Sequence, residues 1–109
     1  MGLKETEAEC AAHATAPRVS LSDIEAAIGA VFHTTGDKAI ADAPTMASLA
    51  LLSICIIVMR NGFTIIGKSA PASAANFNAD LGRKLAYEDA IRQIWPLMGY
   101  SLRERLTTA

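Results

Sequence analysis

Ser53-Ile54-Cys55-Ile56-Ile57-Val58-Met59-Arg60-Asn61-Gly62-Phe63-Thr64-Ile65-Ile66-Gly67-Lys68 decides the fold. Two runs rich in β-branched residues flank an Asn-Gly pair, the dipeptide most at ease with the positive φ angles of a two-residue type I′ hairpin turn. Such a turn predicts two strands in which Arg60 pairs with Phe63, Val58 with Ile65 and Ile56 with Gly67 on one face. Met59 then pairs with Thr64, Ile57 with Ile66 and Cys55 with Lys68 on the other. Both faces are partly apolar, so both are expected to meet protein.

Downstream, Ser69-Ala70-Pro71-Ala72 breaks the strand, and Ser73 is placed to cap a helix beginning at Ala74. Pro96 is expected to stop it, because a proline inside a helix removes one N–H and crowds the preceding turn. The rod is then about 31 Å long. Phe77, Leu81, Leu85, Ile91 and Trp95 line one face, with Tyr87 and Ile94 at its margin. Gly82 costs about 1 kcal/mol relative to Ala and marks a place where something approaches closely. Beyond Pro96, Tyr100, Leu102 and Leu106 set against Ser101, Arg103 and Arg105 predict a short C-terminal strand or turn, a third strand for a hairpin that is marginal alone.

Upstream, Leu21-Ser22-Asp23-Ile24-Glu25 predicts a helix start with a capping box between Ser22 and Glu25. Ile24, Ile28, Val31 and Phe32 continue at helical spacing toward His33-Thr34-Thr35-Gly36. Asp37, Asp42 and Pro44 then mark an irregular connection, with a helical turn around Met46-Ala47-Ser48-Leu49. Residues 1–18 have no sustained apolar period and read as a flexible N-terminal tail. Residues 19–109 are left as a single α+β domain: N-terminal helix, β-hairpin with an Asn-Gly turn, long amphipathic helix, short C-terminal strand or turn.

A chain of 109 residues is one domain, able to bury roughly two-thirds of the surface its unfolded form exposes. Its 51% apolar and 19% charged content excludes a disordered chain, and only 6% aromatics points to a core of small aliphatic side chains. A hairpin apolar on both faces, with a glycine-containing helix, offers more apolar surface than two helices cover, so a homo-oligomer, a dimer by preference, is expected. Cys10 and Cys55 have no CxxC partner, and Cys55 reads as a buried small hydrophobe in a reduced compartment. His13 and His33 are too few and too far apart for a zinc site, and no metal or cofactor is expected. The apolar run from Ala47 to Met59 is short of the ~20 residues a bilayer requires, so no membrane association is expected.

Net charge is −1, but residues 47–109 carry seven bases against four acids. Lys84, Glu88 and Arg92 fall at i, i+4 and i+8; they suit either long side chains laid over the core edge or one wall of a polar pocket in which Glu88 orients Arg92. With Arg83, Arg103 and the aromatic anchors Trp95 and Tyr100, they make up the candidate ligand- or partner-binding set. No nucleophile–base pair accompanies them, so no catalytic residue is assigned and no enzyme is expected. Gly67-Lys68-Ser69 lacks the first glycine of a P-loop, leaving residues 69–75 only a weak anion-site candidate at a helix start.

Asn61-Gly62-Phe63, Gly67-Lys68-Ser69-Ala70, Asn76-Phe77-Asn78, Leu81-Gly82-Arg83-Lys84, Trp95-Pro96-Leu97 and Gly99-Tyr100-Ser101-Leu102 together resemble the small tailed-phage and prophage proteins of the gene 49 / gene 66 type. Pro71, where that family more often has Cys, and Lys68, where an acidic residue is commoner, depart from its pattern. The resemblance implies a phage origin and action in the cytoplasm of an infected bacterial host, and it brings no assigned activity. The expected function is therefore that of a small phage accessory protein acting by binding, with counter-defence as the leading role, as an anti-CRISPR protein or another immune inhibitor of a host protein. One alternative is an oligomeric sponge for a small anionic nucleotide signal; another, less favoured because of the net charge, is a weak nucleic-acid-binding module. An exposed apolar or acidic patch would fit the first, a concave basic pocket at a subunit boundary the second, and a continuous basic stripe the third.

Overall fold

A computed structural model describes residues 2–13 and 16–108. Helix α1 (Leu3–His13) leads through an extended segment to α2 (Leu21–Ala27), strand β1 (Ile28–Thr35) and the one-turn helices α3 (Gly36–Ala39) and α4 (Ala47–Ala50). The hairpin β2 (Ser53–Met59) and β3 (Thr64–Ser69), a 3-10 turn (Ala74–Asn76) and the long helix α5 (Ala79–Thr108) complete the chain. The sheet is antiparallel in the order β1-β2-β3. The α+β class, the N-terminal helix, the hairpin and the long helix are as the sequence predicts.

The hairpin turn differs from expectation by one residue. Gly62 has φ +89°, while among the described residues the only other positive φ outside glycine is that of Asp42, so Asn61 is not left-handed. Asn61 instead accepts the Phe63 N–H on its side-chain Oδ1 at 3.0 Å, which favours a right-handed turn residue. The Gly62 N–H donates to the Met59 carbonyl at 2.9 Å and the Met59 N–H to the Phe63 carbonyl at 2.8 Å. The loop is therefore three residues with a left-handed glycine, not a type I′ pair. The pairs become Ile57 with Ile65, Ile56 with Ile66 and Cys55 with Gly67.

The third strand also comes from elsewhere. Ile28 to Thr35, expected as helix, pairs with β2, Phe32 opposite Ile56 and His33 opposite Cys55. Helical spacing of Ile28, Val31 and Phe32 lost to two facts: Val31, Phe32, Thr34 and Thr35 are β-formers, and a hairpin alone leaves one side of β2 without hydrogen-bond partners. Helix α2 is correspondingly short, and its capping box is formed by Ser20 and Asp23 rather than Ser22 and Glu25.

At the other end no C-terminal strand forms, because α5 runs for 30 residues through Pro96. Ile94 and Met98, four residues apart on either side of the proline, both pack on the core, and that packing outweighs the lost N–H. Ser73 caps only the 3-10 turn, and Asn78 caps α5 by accepting the Leu81 N–H at 3.0 Å. The buried face of α5 is Ala86, Ala90, Ile91 and Ile94, whereas Leu81 and Leu85 are exposed, contrary to the expected face. With Ile24, Cys55, Ile57 and Ile65 these residues form the core.

Within the segment read as a tail, Leu3–His13 form a helix. Helix α1 is tied down by Arg18, whose guanidinium donates to both Glu7 carboxylate oxygens at 3.0 and 2.7 Å, and Leu3 packs against the core. Met1, Ala14 and Thr15, within the expected tail, lie outside the described residues.

Candidate functional site

Helix α5 covers one face of β2 and β3, burying Cys55, Ile57, Ile65 and Gly67. Alternation along the strands sends their neighbours to the opposite face. The register places three rows there: Ala30, Val58 and Thr64; Phe32, Ile56 and Ile66; Thr34, Ile54 and Lys68. Among the described residues no helix packs on these rows, and Phe32 and Ile66 are 57% and 60% exposed. A single charge, Lys68, interrupts an otherwise apolar and hydroxyl-bearing surface.

A second feature lies on the α5 side of β1, where α5 no longer reaches across the sheet. A cleft of about 310 Å³ is lined by His33, Thr35, Asp37, Lys38, Phe77 and Arg83. The Thr35 hydroxyl donates to Asp37, and this hydrogen bond holds the Asp37 carboxyl below the usual carboxylate range. The cleft thus combines one fixed carboxylate with the cations Lys38 and Arg83, an arrangement suited to a small polar or anionic group.

The residues singled out from sequence lie along α5 but do not converge. Arg83 opens into the cleft beside β1. Lys84 and Glu88 turn toward α1 and α2, lining a hollow with Leu3, Glu25 and Tyr87. Arg92 reaches Glu88 only at 4.0 Å, with its own side chain largely in water. Trp95 donates its indole N–H to the Val19 carbonyl at 3.1 Å, fastening the segment before α2 to α5. Tyr100 stands 70% exposed, five residues and therefore well around the helix from Trp95. Arg103 is exposed further along α5. The structure therefore brings together Glu88 with Arg92 and Arg92 with Trp95, and separates Arg83, Tyr100 and Arg103 from them.

Phe32, Ile56, Ile66, His33 and Lys38 had no place in the sequence-derived set. Their juxtaposition depends on β1 being a strand, and the signal for it in the sequence is the short run Val31-Phe32-His33-Thr34-Thr35, rich in β-formers. Cys55 is buried in β2, and burial pushes its thiol pKa up, which keeps it neutral and unreactive.

The family model of the phage protein (N4 Gp49/phage Sf6 gene 66) family matches residues 19–106. No curated protein and no solved structure matches the chain. No helix among the described residues is long and apolar enough to cross a membrane.

Proposed function

Because the chain belongs to the phage protein (N4 Gp49/phage Sf6 gene 66) family, we propose that it is a non-enzymatic phage accessory protein that acts by binding a host protein, in counter-defence, within the infected cell. The observation that supports this reading is the uncovered sheet face built on the Phe32–Ile56–Ile66 row. A contiguous apolar patch on a small protein is most often an interaction surface. Apolar burial would supply the affinity there, with Lys68 at the margin to favour an acidic rim on the partner.

A second reading, an oligomer sequestering a small anionic nucleotide, draws support from the cleft holding Lys38 and Arg83. The nucleic-acid reading draws less: Arg83 and Arg92 are nine residues apart on α5 and so face roughly opposite directions, which breaks a continuous basic stripe. The test is recovery from lysate of infected host by tagged wild-type protein, Ile66→Glu and Arg83→Ala. A host protein retained by wild type and Arg83→Ala but lost with Ile66→Glu supports the first reading. A nucleotide lost only with Arg83→Ala supports the second, and recovery of neither removes both.

A further inference from the structure

The two edges of the sheet are not equivalent. On β3 two outward backbone groups are engaged by α5: the Lys68 N–H donates to Asp89 Oδ2 at 3.0 Å, and Gln93 Nε2 donates to the Ile66 carbonyl at 2.7 Å. Since Ile66 and Lys68 turn their backbones outward, the odd-numbered residues of β3 bond to β2, as the Met59–Phe63 bond also requires. The odd-numbered residues of β2 are thereby used. Its even-numbered residues bond to Ala30, Phe32 and Thr34, in step with the Gly36 N–H donating to the Leu52 carbonyl at 3.0 Å. Val31 and His33 consequently direct their N–H and C=O groups away from the sheet, and no hydrogen bond among the described residues reaches them.

Strand edges are ordinarily guarded by lysine, proline or a covering element. Ile28-Gly29-Ala30-Val31-Phe32-His33-Thr34-Thr35 contains no Lys, Arg, Asp or Glu and no proline, and its one irregularity, the register shift between Ile28 and Ala30, sits at its start.

We infer that β1 pairs with β1 of a second copy of this chain, antiparallel about a two-fold axis at Phe32, to form a continuous six-stranded sheet. The occupant of the edge is a second copy because the strand complements itself. With the axis at Phe32, the outward-facing Val31 of each copy meets the outward-facing His33 of the other, so the two hydrogen-bonded pairs beside the axis form clear of the irregularity at Gly29. Phe32 meets its own copy in a non-hydrogen-bonded pair, the type with the closest side-chain approach. An axis at His33 would stack two imidazole rings, and an axis at Val31 would leave only the central Val31 pair clear of Gly29, which would then face His33 of the other copy. The pairing extends the Phe32–Ile56–Ile66 row across both subunits. It also sets the second copy against His33 and Thr35, giving the cleft of Lys38 and Arg83 a wall that one chain lacks.

Sedimentation velocity from low micromolar to submillimolar concentration, on wild type and Val31→Pro, tests this. Proline at Val31 removes only an outward N–H, a position that edge strands tolerate. Wild type should approach twice the chain mass of 11.5 kDa with rising concentration, while Val31→Pro stays at the chain mass. In a Cys10→Ser background, Phe32→Cys should form an intersubunit disulfide, because the two Cα atoms would stand about 4.5 Å apart. Thr34→Cys should not, its copy lying four residues away in register. A wild type that remains at the chain mass throughout overturns the inference, as does a dimer that survives Val31→Pro or crosslinks through Thr34→Cys but not Phe32→Cys. If Val31→Pro does not fold, the crosslinking pattern decides alone.

Discussion

Gly67 of β3 lies directly beneath Ala90 of α5: a Cβ added to Gly67 would stand 2.6 Å from the Ala90 amide nitrogen and 2.8 Å from its Cβ, and would collide with the Ala86 carbonyl oxygen. Helix and strand meet here backbone to backbone. Small residues on both sides are what bring α5 close enough for Asp89 and Gln93, which flank Ala90 on the same helix, to reach the β3 edge.

Gly67→Ala should therefore destabilise the fold by about 1–3 kcal/mol through overpacking, since the obstacles are main-chain atoms that cannot swing away. Urea unfolding followed by circular dichroism measures it. A loss of only a few tenths would mean that the helix rides higher on the sheet.

Gly62→Ala tests the hairpin loop by a different cause. Nothing lies within 4 Å of a Cβ at this position, so its cost of about 1 kcal/mol comes only from placing a side chain at φ +89°. Asn61→Gly, where φ is not positive, should not be stabilising; if it were, the loop would be the two-residue turn that Asn-Gly first suggests.

Pro96→Ala should stabilise α5. Residue 96 is exposed and inside the helix, so alanine restores an N–H for the Arg92 carbonyl and relieves the ring, a gain of about 1–3 kcal/mol. Helical ellipticity should hold or rise slightly. A fall would place the helix end at Trp95.

The pairing of Glu7 with Arg18 makes the docking of α1 sensitive to acid. Hydrogen bonds from Arg18 hold the Glu7 carboxyl below its ordinary value of 4.5, so the contribution is fully present above that value and is lost as pH falls through the lowered one. Trp95, the single tryptophan, shares a hollow with Thr6 and Arg18 and reports the change by fluorescence. Glu7→Gln should remove this acid transition. Asp23, also held low by its bond from the Ser20 amide, titrates in the same direction, and Asp23→Asn separates the two; an acid transition unchanged by Glu7→Gln would assign it to the α2 cap.

Asp89→Ala combined with Gln93→Ala should expose the β3 edge. The expected outcome is association that grows with concentration beyond that of wild type, read by light scattering, with secondary structure retained in the dilute protein. Unchanged scattering would show that the helix backbone itself shields the strand.

Much of the fold was legible because local chemistry and tertiary packing agree over 53–69, where β-branched runs and a glycine turn point to a hairpin even though they leave its register open to a one-residue shift. Ile28 to Phe32 was not, since apolar residues there satisfy both periods and only the unpaired side of β2 decides between them. Pro96 misled for a related reason: its local cost is real, but Ile94 and Met98 anchor both sides. Of the buried stripe of α5, Ile91 and Ile94 were legible, whereas Ala86 and Ala90 carry little apolar weight in a sequence pattern and the larger Leu81 and Leu85 face outward. Of the candidate site, the charged row on α5 was visible by its spacing, whereas the Phe32–Ile56–Ile66 row joins three strands distant in sequence and depends on a register that one loop residue shifts.

The bonds from Asp89 and Gln93 to β3 have a consequence for how large an assembly can become. A sheet with two available edges can add units at either end without limit, as fibres do. Obstructing one edge leaves a valence of one, so edge pairing of the kind inferred would use the one available site and end at two chains. Two polar side chains on a helix would thereby set a ceiling on stoichiometry, and would do so from within each chain before any encounter takes place.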